Sequence, residues 1–123
     1  MEDTQLLKGI LEGCVLAVIS QGETYGYEIG TILVEYGFEE VQDGTLYPVL
    51  TRLEKKKLVS CRVGKSPLGP KRKYFSITEE GIEYLEQFRK SYYKVTKRAD
   101  SILKLERKWK ETGELGGIED ESR

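Results

Sequence analysis

The sequence predicts a mainly α-helical chain that carries one small β-hairpin and ends in a long helix. Within residues 43–63 the spacing of apolar residues changes from i, i+3, i+4, i+7, which is typical of a helix, to the alternation of a strand. The helical set is Leu46, Val49, Leu50 and Leu53, and the alternating set is Val59, Cys61 and Val63. After residue 78, apolar residues recur alternately three and four positions apart, which is coiled-coil spacing.

Length and composition indicate one domain in a reducing compartment. The 123 residues suffice for one domain, and 33% of them are charged. The longest apolar-leaning run, residues 10–19, is interrupted by Glu12 and is too short to span a bilayer. The acidic N-terminus, Met-Glu-Asp-Thr, lacks signal-peptide features. Cys14 and Cys61 occupy apolar periodic positions, so we expect small buried side chains in a cytoplasmic protein that has no membrane partner.

The residue content argues against an enzyme. The chain has no histidine, which excludes Ser-His-Asp and Cys-His nucleophilic sites and removes the commonest metal ligand. Cys14 and Cys61 lie too far apart for zinc-site spacing. Gly9 and Gly13 lie inside a helical pattern rather than in a phosphate-binding loop after a strand. We therefore expect no catalytic residues, no metal and no cofactor.

Two helices are predicted in the first 43 residues. The first, residues 5–20, is apolar around nearly its whole circumference, which favours a second subunit that helps to cover it. The second, residues 25–36, has Thr24 as a candidate N-cap. Its predicted buried face consists of Tyr27, Ile29, Ile32, Leu33 and Tyr36. Tyr25, at its start, would either reach a phosphate or cover the core.

The next helix is predicted to begin near residue 44. Asp43 is its candidate N-cap, and it runs out in Lys55-Lys56-Lys57, where cations suit the negative helix end. Pro48 removes an amide donor about one turn inside the helix. We therefore expect a local bend or a widened first turn there.

Strands at residues 58–64 and 71–77 follow this helix, joined by a loop at residues 65–70 that is rich in proline and glycine. A helix with polar side chains followed by a hairpin with a basic tip is the outline of a winged helix-turn-helix. In that arrangement the helix enters a major groove and the wing lies along the DNA backbone.

The charge distribution agrees with this interpretation. Residues 45–75 contain nine Lys or Arg and one acid, Glu54, whereas residues 1–44 contain one base and nine acids. A basic region in a chain of net charge −1 indicates a polyanionic partner. The alternatives are a solvated charge run, a module whose helix-hairpin surface binds an acidic protein, and a small-molecule carrier with an inter-subunit pocket.

The candidate DNA-binding residues form two groups, with Tyr25 as a further candidate. Base edges are read by the N-terminal part of the recognition helix, so one group meets bases or neighbouring phosphates: Thr45, Tyr47, Pro48 and Thr51. Arg52 adds a bidentate fork for a base or a phosphate. The wing group is expected to contact the backbone or a minor groove: Lys65, Lys71, Arg72 and Lys73.

Residues 78–110 are predicted to form one last helix, opened by the capping residue Thr78 and acids in the first turn. Its apolar stripe is longer than a chain of this size can cover, so we expect a homodimer. The predicted dimer residues are Leu7, Leu11, Leu85, Phe88, Tyr92, Val95, Ala99, Ile102 and Trp109. The predicted organisation is a winged helix-turn-helix domain (1–77), a dimerisation helix (78–110) and a disordered acidic tail (111–123).

Several motifs resemble the PadR family of transcriptional regulators. They are Thr45-Leu46-Tyr47-Pro48, Leu50, Arg52-Leu53-Glu54, Leu58-Val59, Gly69-Pro70, Arg72-Lys73-Tyr74, Thr78-Glu-Glu-Gly81 and Tyr25-Gly26-Tyr27-Glu28-Ile29. The resemblance covers about residues 5–105. Gln42-Asp43 differs from the Ser-Pro that is frequent before the Gly-Thr in this family. The resemblance implies a homodimeric repressor that binds double-stranded DNA at a pseudo-palindromic operator.

The resemblance also makes a small aromatic effector a candidate partner. Some PadR-like multidrug sensors trap flat aromatic compounds between tryptophans of the two long helices. The comparable region here holds Tyr92 and Tyr93, and the single tryptophan lies further along at Trp109. The alternative interpretation is that these aromatic residues only pack.

Overall fold

The computed structural model describes residues 3–41, 43–67 and 69–106. It is mostly helical, with one small antiparallel sheet and a long last helix. The elements are α1 (Thr4–Leu7), α2 (Leu11–Ile19), β1 (Thr24–Tyr25), α3 (Gly26–Glu35), α4 (Leu46–Lys55), β2 (Val59–Ser66), β3 (Gly69–Ile77) and α5 (Glu79–Leu103), with short 3-10 turns at Glu39–Val41 and Asp43–Thr45. Within the described ranges, no helix has the length and apolar character needed to cross a membrane.

The N-terminal helix is interrupted, which corrects the prediction of one helix over residues 5–20. A turn at residues 8–10 separates α1 from α2, and the Ile10 amide donates to the Leu7 carbonyl oxygen at 3.0 Å. Gly9 lies in this turn, and glycine is a poor helix former. The chain itself buries much of the apolar surface here, because Leu7 and Leu11 are 7% and 5% exposed.

The sheet has three strands rather than the two of the predicted hairpin, in the order β1-β3-β2. Thr24 pairs with Phe75, and Tyr25 pairs with Tyr74. Thr24 therefore belongs to a strand instead of capping α3, and its hydroxyl donates to the Glu28 carboxylate at 2.5 Å. A two-residue strand shows no apolar period, so the sequence pattern did not predict it.

The buried face of α3 is narrower than predicted. Ile29 and Leu33 are buried and Ile32 is partly buried, but Tyr27 and Tyr36 are each 80% exposed. A tyrosine has an apolar ring and a polar tip, so its position in an apolar pattern does not by itself establish burial.

The hairpin strands are longer than predicted, and the connection between them is shorter. Val59 lies opposite Ile77 and Cys61 opposite Phe75, and an irregularity in the register follows at Lys65/Ser66. The side chains of Val59 and Phe75 are buried, which anchors the base of the wing in the core.

Helix α5 starts where predicted. The Gly81 amide donates to the Thr78 hydroxyl at 3.0 Å, so Thr78 is the expected N-cap. The helix ends at Leu103 rather than residue 110. The predicted roles of Trp109 and of the acidic tail fall outside the described residues.

The chain divides into two compact units, residues 1–89 and 90–123. The first turns of α5 therefore belong to the same unit as the wing. Two glycines allow this packing: a Cβ at Gly81 would overlap the Leu58 carbonyl oxygen, and a Cβ at Gly13 would overlap the Phe88 ring. The core of the first unit contains Leu11, Val15, Leu16, Ile19, Ile29, Leu33, Val41, Leu46, Val49, Leu50, Leu53, Leu58, Val59, Phe75 and Leu85.

Candidate nucleic-acid interface

Helix α4 is amphipathic in the way the sequence predicts, and it begins at Leu46. The 3-10 turn Asp43–Thr45 leads into it, so Thr45 rather than Asp43 occupies the position before the first helical residue. Pro48 lies in the first turn, where backbone amides have no intrahelical acceptor. Its missing amide therefore costs no helical hydrogen bond, which explains how α4 tolerates it.

The exposed face of α4 carries the predicted reading residues. At 100° per residue, Pro48, Thr51 and Lys55 lie at the centre of this face, and all three are exposed. Tyr47 lies at one edge and is 64% exposed. A Cβ at Gly26 would be 3.4 Å from the Tyr47 hydroxyl, so this side chain lies against the start of α3.

Arg52 lies at the other edge of α4 and pairs with Glu12 of α2. The Arg52 Nε is 3.4 Å from one Glu12 oxygen, and the Lys56 Nζ is 3.2 and 3.3 Å from the two oxygens. The Tyr84 hydroxyl of α5 donates to the same carboxylate at 2.7 Å. One carboxylate thus joins three helices of the first unit.

The protonation of this cluster follows from its contacts. Partial burial raises the pKa of Glu12, but hydrogen bonds from Tyr84 and Lys56, the charge of Lys56 and a hydrogen bond from Arg52 outweigh it, and the pKa is lowered overall. The pKa of Tyr84 is raised, first by its hydrogen bond to Glu12 and then by burial and the Glu12 charge. At neutral pH the cluster is an anion held by two cations and a phenol.

A ladder of rings and guanidinium groups joins the wing to the start of α3. The Arg72 guanidinium lies 4.0 Å from the Tyr25 ring centre, and the Tyr25 and Tyr74 rings meet edge to face at 5.8 Å. Arg62 lies 4.5 Å from the Tyr74 ring and binds both oxygens of Glu23 at 2.6 and 2.8 Å. Tyr25 is half-buried in this stack, so it covers part of the sheet and also lies beside a wing cation.

The tip of the wing concentrates positive charge. Lys65 lies directly opposite Lys71 across the hairpin, and both are exposed. Neither has an acidic partner among the residues that the structure describes. Like charges opposite each other destabilise a hairpin, and a bound polyanion would relieve that repulsion. Lys73, further down β3, pairs with Glu54 of α4 at 3.4 Å.

The cysteines and carboxylates of the described ranges form no cluster of metal-ligating side chains. No group of three or more Cys, Asp or Glu side chains in them is arranged to hold a metal ion. Burial raises the pKa of the Cys14 thiol, and burial and the nearby Glu54 raise that of Cys61 despite the opposing charge of Lys73. Both cysteines are unpaired thiols and only partly buried, less than the sequence pattern predicts.

The family follows from comparison with known proteins. The model of the transcriptional regulator PadR-like family matches residues 15–87, which include α3, α4 and the whole wing. The chain belongs to the PadR family. PadR proteins are transcriptional regulators and not enzymes. The sequence likewise predicts no catalytic residues.

Solved structures of PadR-like proteins share the fold. A PadR-like transcriptional regulator from Bacillus cereus is 48% identical, with a TM-score of 0.72 over 83% of this chain and 99% of that one. A Streptococcus transcriptional regulator is 45% identical, with a TM-score of 0.69 over 80% and 96% of the two chains. A PadR-like transcription factor from Bacteroides fragilis is 33% identical, with a TM-score of 0.69 over 81% and 96%.

The structure of this PadR protein also reveals residues that sequence reasoning missed. Glu12, Glu23 and Glu54 each neutralise one or two cations of the basic region. Glu12 and Glu23 come from distant parts of the chain, and an acid outside the basic segment gives no sequence signal that it pairs there. Tyr74 was also missed as a site residue, although its ring meets that of Tyr25 edge to face. The available signal was its place beside Phe75 in β3, because neighbouring residues of a strand face opposite sides of the sheet.

Proposed function

We propose that this PadR protein is a homodimeric repressor that binds a pseudo-palindromic operator in double-stranded DNA. The observation that carries the proposal is the facing pair Lys65 and Lys71 at the tip of the wing, exposed and without a described acidic partner. This cation pair belongs to the same compact unit as the exposed face of α4. A regulator of this kind would work beside chromosomal DNA, in the cytoplasm.

Helix α4 would enter the major groove and provide sequence recognition. The residues proposed to meet bases or adjacent phosphates are Thr45, Tyr47, Pro48 and Thr51, all of them exposed. Arg52 would share its guanidinium between a phosphate and Glu12, whose carboxylate its Nε faces at 3.4 Å. Base recognition would therefore depend on hydroxyl and ring contacts more than on a guanidinium fork.

The wing would hold the DNA backbone. Lys65, Lys71, Arg72 and Lys73 are the proposed contacts, and Tyr25 would fix the position of Arg72 by stacking against it. Phosphate contacts of this kind supply affinity for any sequence, and each one increases the salt dependence of binding. The wing and α4 should therefore respond differently to mutation.

The dimer would form through the exposed stripe of α5. Val95 and Ile102 are 55% and 64% exposed, and Ala99 between them is also exposed. Tyr92 extends the stripe toward the N-terminus of the helix and is 39% exposed. Leu7, Leu11 and Leu85 are buried within the chain itself and Phe88 is partly buried against Gly13, so the exposed residues of the stripe would supply most of the interface.

A small aromatic effector could act at the same helix. The Tyr92 and Tyr93 rings meet edge to face at 5.3 Å, and Tyr93 is 68% exposed. An exposed aromatic pair can stack against a flat ligand. If planar cationic dyes and phenolic acids neither change Trp109 fluorescence nor release bound DNA, this part of the proposal fails.

The central test compares operator and scrambled duplexes after the operator has been selected from a random DNA pool. Tyr47→Ala or Thr51→Ala should reduce the preference for operator by about 1–3 kcal/mol, because the shortened side chain no longer reaches a base edge. Lys71→Ala should weaken binding to both duplexes equally and lower the salt slope by about one unit for each phosphate that is no longer neutralised.

If selection yields no preferred sequence, the proposal is wrong. If Lys71→Ala changes sequence preference while Tyr47→Ala and Thr51→Ala change neither affinity, α4 is not the reading helix.

A further inference from the structure

Glu12 stands apart from the other acids of the basic region because three helices meet at its carboxylate. Its side chain is 15% exposed, whereas those of Glu23 and Glu54 are 38% and 43% exposed. It accepts hydrogen bonds from Arg52 and Lys56 at the end of α4 and from Tyr84 in α5. The contact with Tyr84 is 2.7 Å long, which is typical of a strong hydrogen bond between a hydroxyl group and a carboxylate.

The partners of Glu12 also contact each other. Lys56 Nζ also lies 5.6 Å from the centre of the Tyr84 ring, so the cation at the end of α4 contacts both the ring of α5 and the carboxylate of α2. A partly buried carboxylate that has lost water needs these partners, because an unpaired charge there is costly. Rotation or translation of α4 against α5 would break at least one of these interactions.

We propose that Glu12 is a positioning residue through which α5 holds the recognition helix α4 in the orientation that reads DNA. The inference rests on the proposed function and extends it to regulation. Tyr84 belongs to the same compact unit as α4, so a change in the position of this part of α5 would reach α4 through the Glu12 carboxylate. Glu12 itself lies on α2 and contacts α4 from the side of Arg52, away from Tyr47.

Tyr84→Phe isolates positioning from charge. It removes one hydroxyl but keeps the ring, the packing and the Glu12 charge that binds Arg52 and Lys56. The expected result is a loss of about fivefold in the ratio of operator to scrambled affinity, with scrambled affinity and salt slope unchanged. The matched control is Glu86→Gln, which breaks the exposed Arg89–Glu86 pair on the same helix and should leave the ratio unchanged.

Glu12→Gln removes the charge and keeps the shape. It frees Arg52 and Lys56 for phosphates, so scrambled affinity should rise and the salt slope should steepen while the ratio falls. Equal gains for both duplexes would mean that Glu12 acts only by charge, and equal losses would mean that it acts only on folding. Either result, or an unchanged ratio in Tyr84→Phe, overturns the positioning role.

Hydrogen exchange in the protein without DNA gives a second readout. Tyr84→Phe should speed amide exchange in peptides that cover α4. Exchange in peptides that cover β2 should not change, so these peptides serve as the internal reference. Unchanged exchange in α4 counts against the inference even if DNA binding fails for other reasons. Conversely, a wild-type protein with no preference for operator refutes the proposed function, while the exchange experiment still decides the role of Glu12.

Discussion

At the scale of single residues, two helices of this protein end in the same way with different residues. In α3 the Phe38 amide donates to Leu33 and the Gly37 amide to Val34, and in α4 the Leu58 amide donates to Leu53 and the Lys57 amide to Glu54. This is the Schellman motif, which needs a left-handed residue after the helix. Gly37 has φ 98° and Lys57 has φ 63°. Lys57 is the costly one, because its Cβ crowds the following carbonyl oxygen.

Replacing Lys57 with glycine should therefore stabilise the fold. We expect Lys57→Gly to raise the free energy of unfolding by about 1 kcal/mol. Urea titration at fixed protein concentration would show a higher midpoint with an unchanged slope. The control, Lys55→Gly, also removes one cation but is the last residue of α4, in helical conformation, so it should destabilise by up to about 1 kcal/mol. A destabilising Lys57→Gly would contradict the assigned backbone strain.

The Glu12 carboxylate gives the stability a dependence on acid pH. Its pKa in the folded state is lowered from 4.5, so its stabilisation is fully present above that value and is lost as the pH falls through the lower folded pKa. Wild type should exceed Glu12→Gln by about 1 kcal/mol in free energy of unfolding at neutral pH. That difference should shrink below about pH 4. Urea titrations at both pH values measure it, and an equal difference at both would refute the assignment.

At the scale of secondary structure elements, the wing and α4 are joined by an ion pair that lies among the proposed DNA contacts. Lys73 of β3 and Glu54 of α4 are both exposed, and Glu54 withdraws one wing cation from the phosphates. An exposed pair of this kind contributes little to stability, so its effect should fall mainly on binding.

Glu54→Gln should therefore strengthen DNA binding without changing the fold. We expect higher affinity for operator and scrambled duplexes alike, and a salt slope steeper by about one unit for each lysine released. The double variant with Lys73→Ala should lose this gain, because the cation that Glu54 neutralises is then absent. Binding isotherms across a salt series measure both quantities. A gain that survives in the double variant would show that Glu54 acts by direct repulsion of DNA.

At the scale of the whole molecule, the exposed apolar residues of α5 are the surface through which we propose that two copies assemble. Val95, Ile102 and Leu103 are 55%, 64% and 82% exposed, and a stripe of this kind along one helix is typical of an interface. The two half-sites of the proposed palindrome would need two reading helices, so assembly and operator binding should be linked.

Placing a charge in this stripe should dissociate the proposed dimer. We expect Val95→Asp and Ile102→Asp to yield monomers in sedimentation, because each would bury a carboxylate without a partner. Binding isotherms should show that the same variants bind the operator more weakly. Ser101→Asp adds the same charge to the same helix at an exposed position that faces away from the stripe, and should sediment like wild type. Variants that remain dimeric would place the interface elsewhere.

The sequence by itself determined the elements whose side chains repeat with a period. The three buried leucines and one buried valine of α4, the strand β2 and the cap at Thr78 follow local rules, and the structure confirms each of them. The PadR resemblance follows from the same segments and is confirmed by the family match over residues 15–87. At Gly9 the apolar spacing of a helix continues through residues that form a turn in the structure, so the spacing alone did not locate the break between α1 and α2.

Tertiary structure alone decided which charges remain available. Arg52 and Lys73 lie in one basic segment with Lys65 and Lys71, but Glu12 and Glu54 pair with the first two and with neither of the others. Whether a cation is paired depends on which acid lies within about 4 Å, and that distance is set by packing of helices far apart in the chain. The exposure of Tyr27 and Tyr36 was decided in the same way, because it depends on the neighbouring elements and not on the helical period of apolar residues in the sequence.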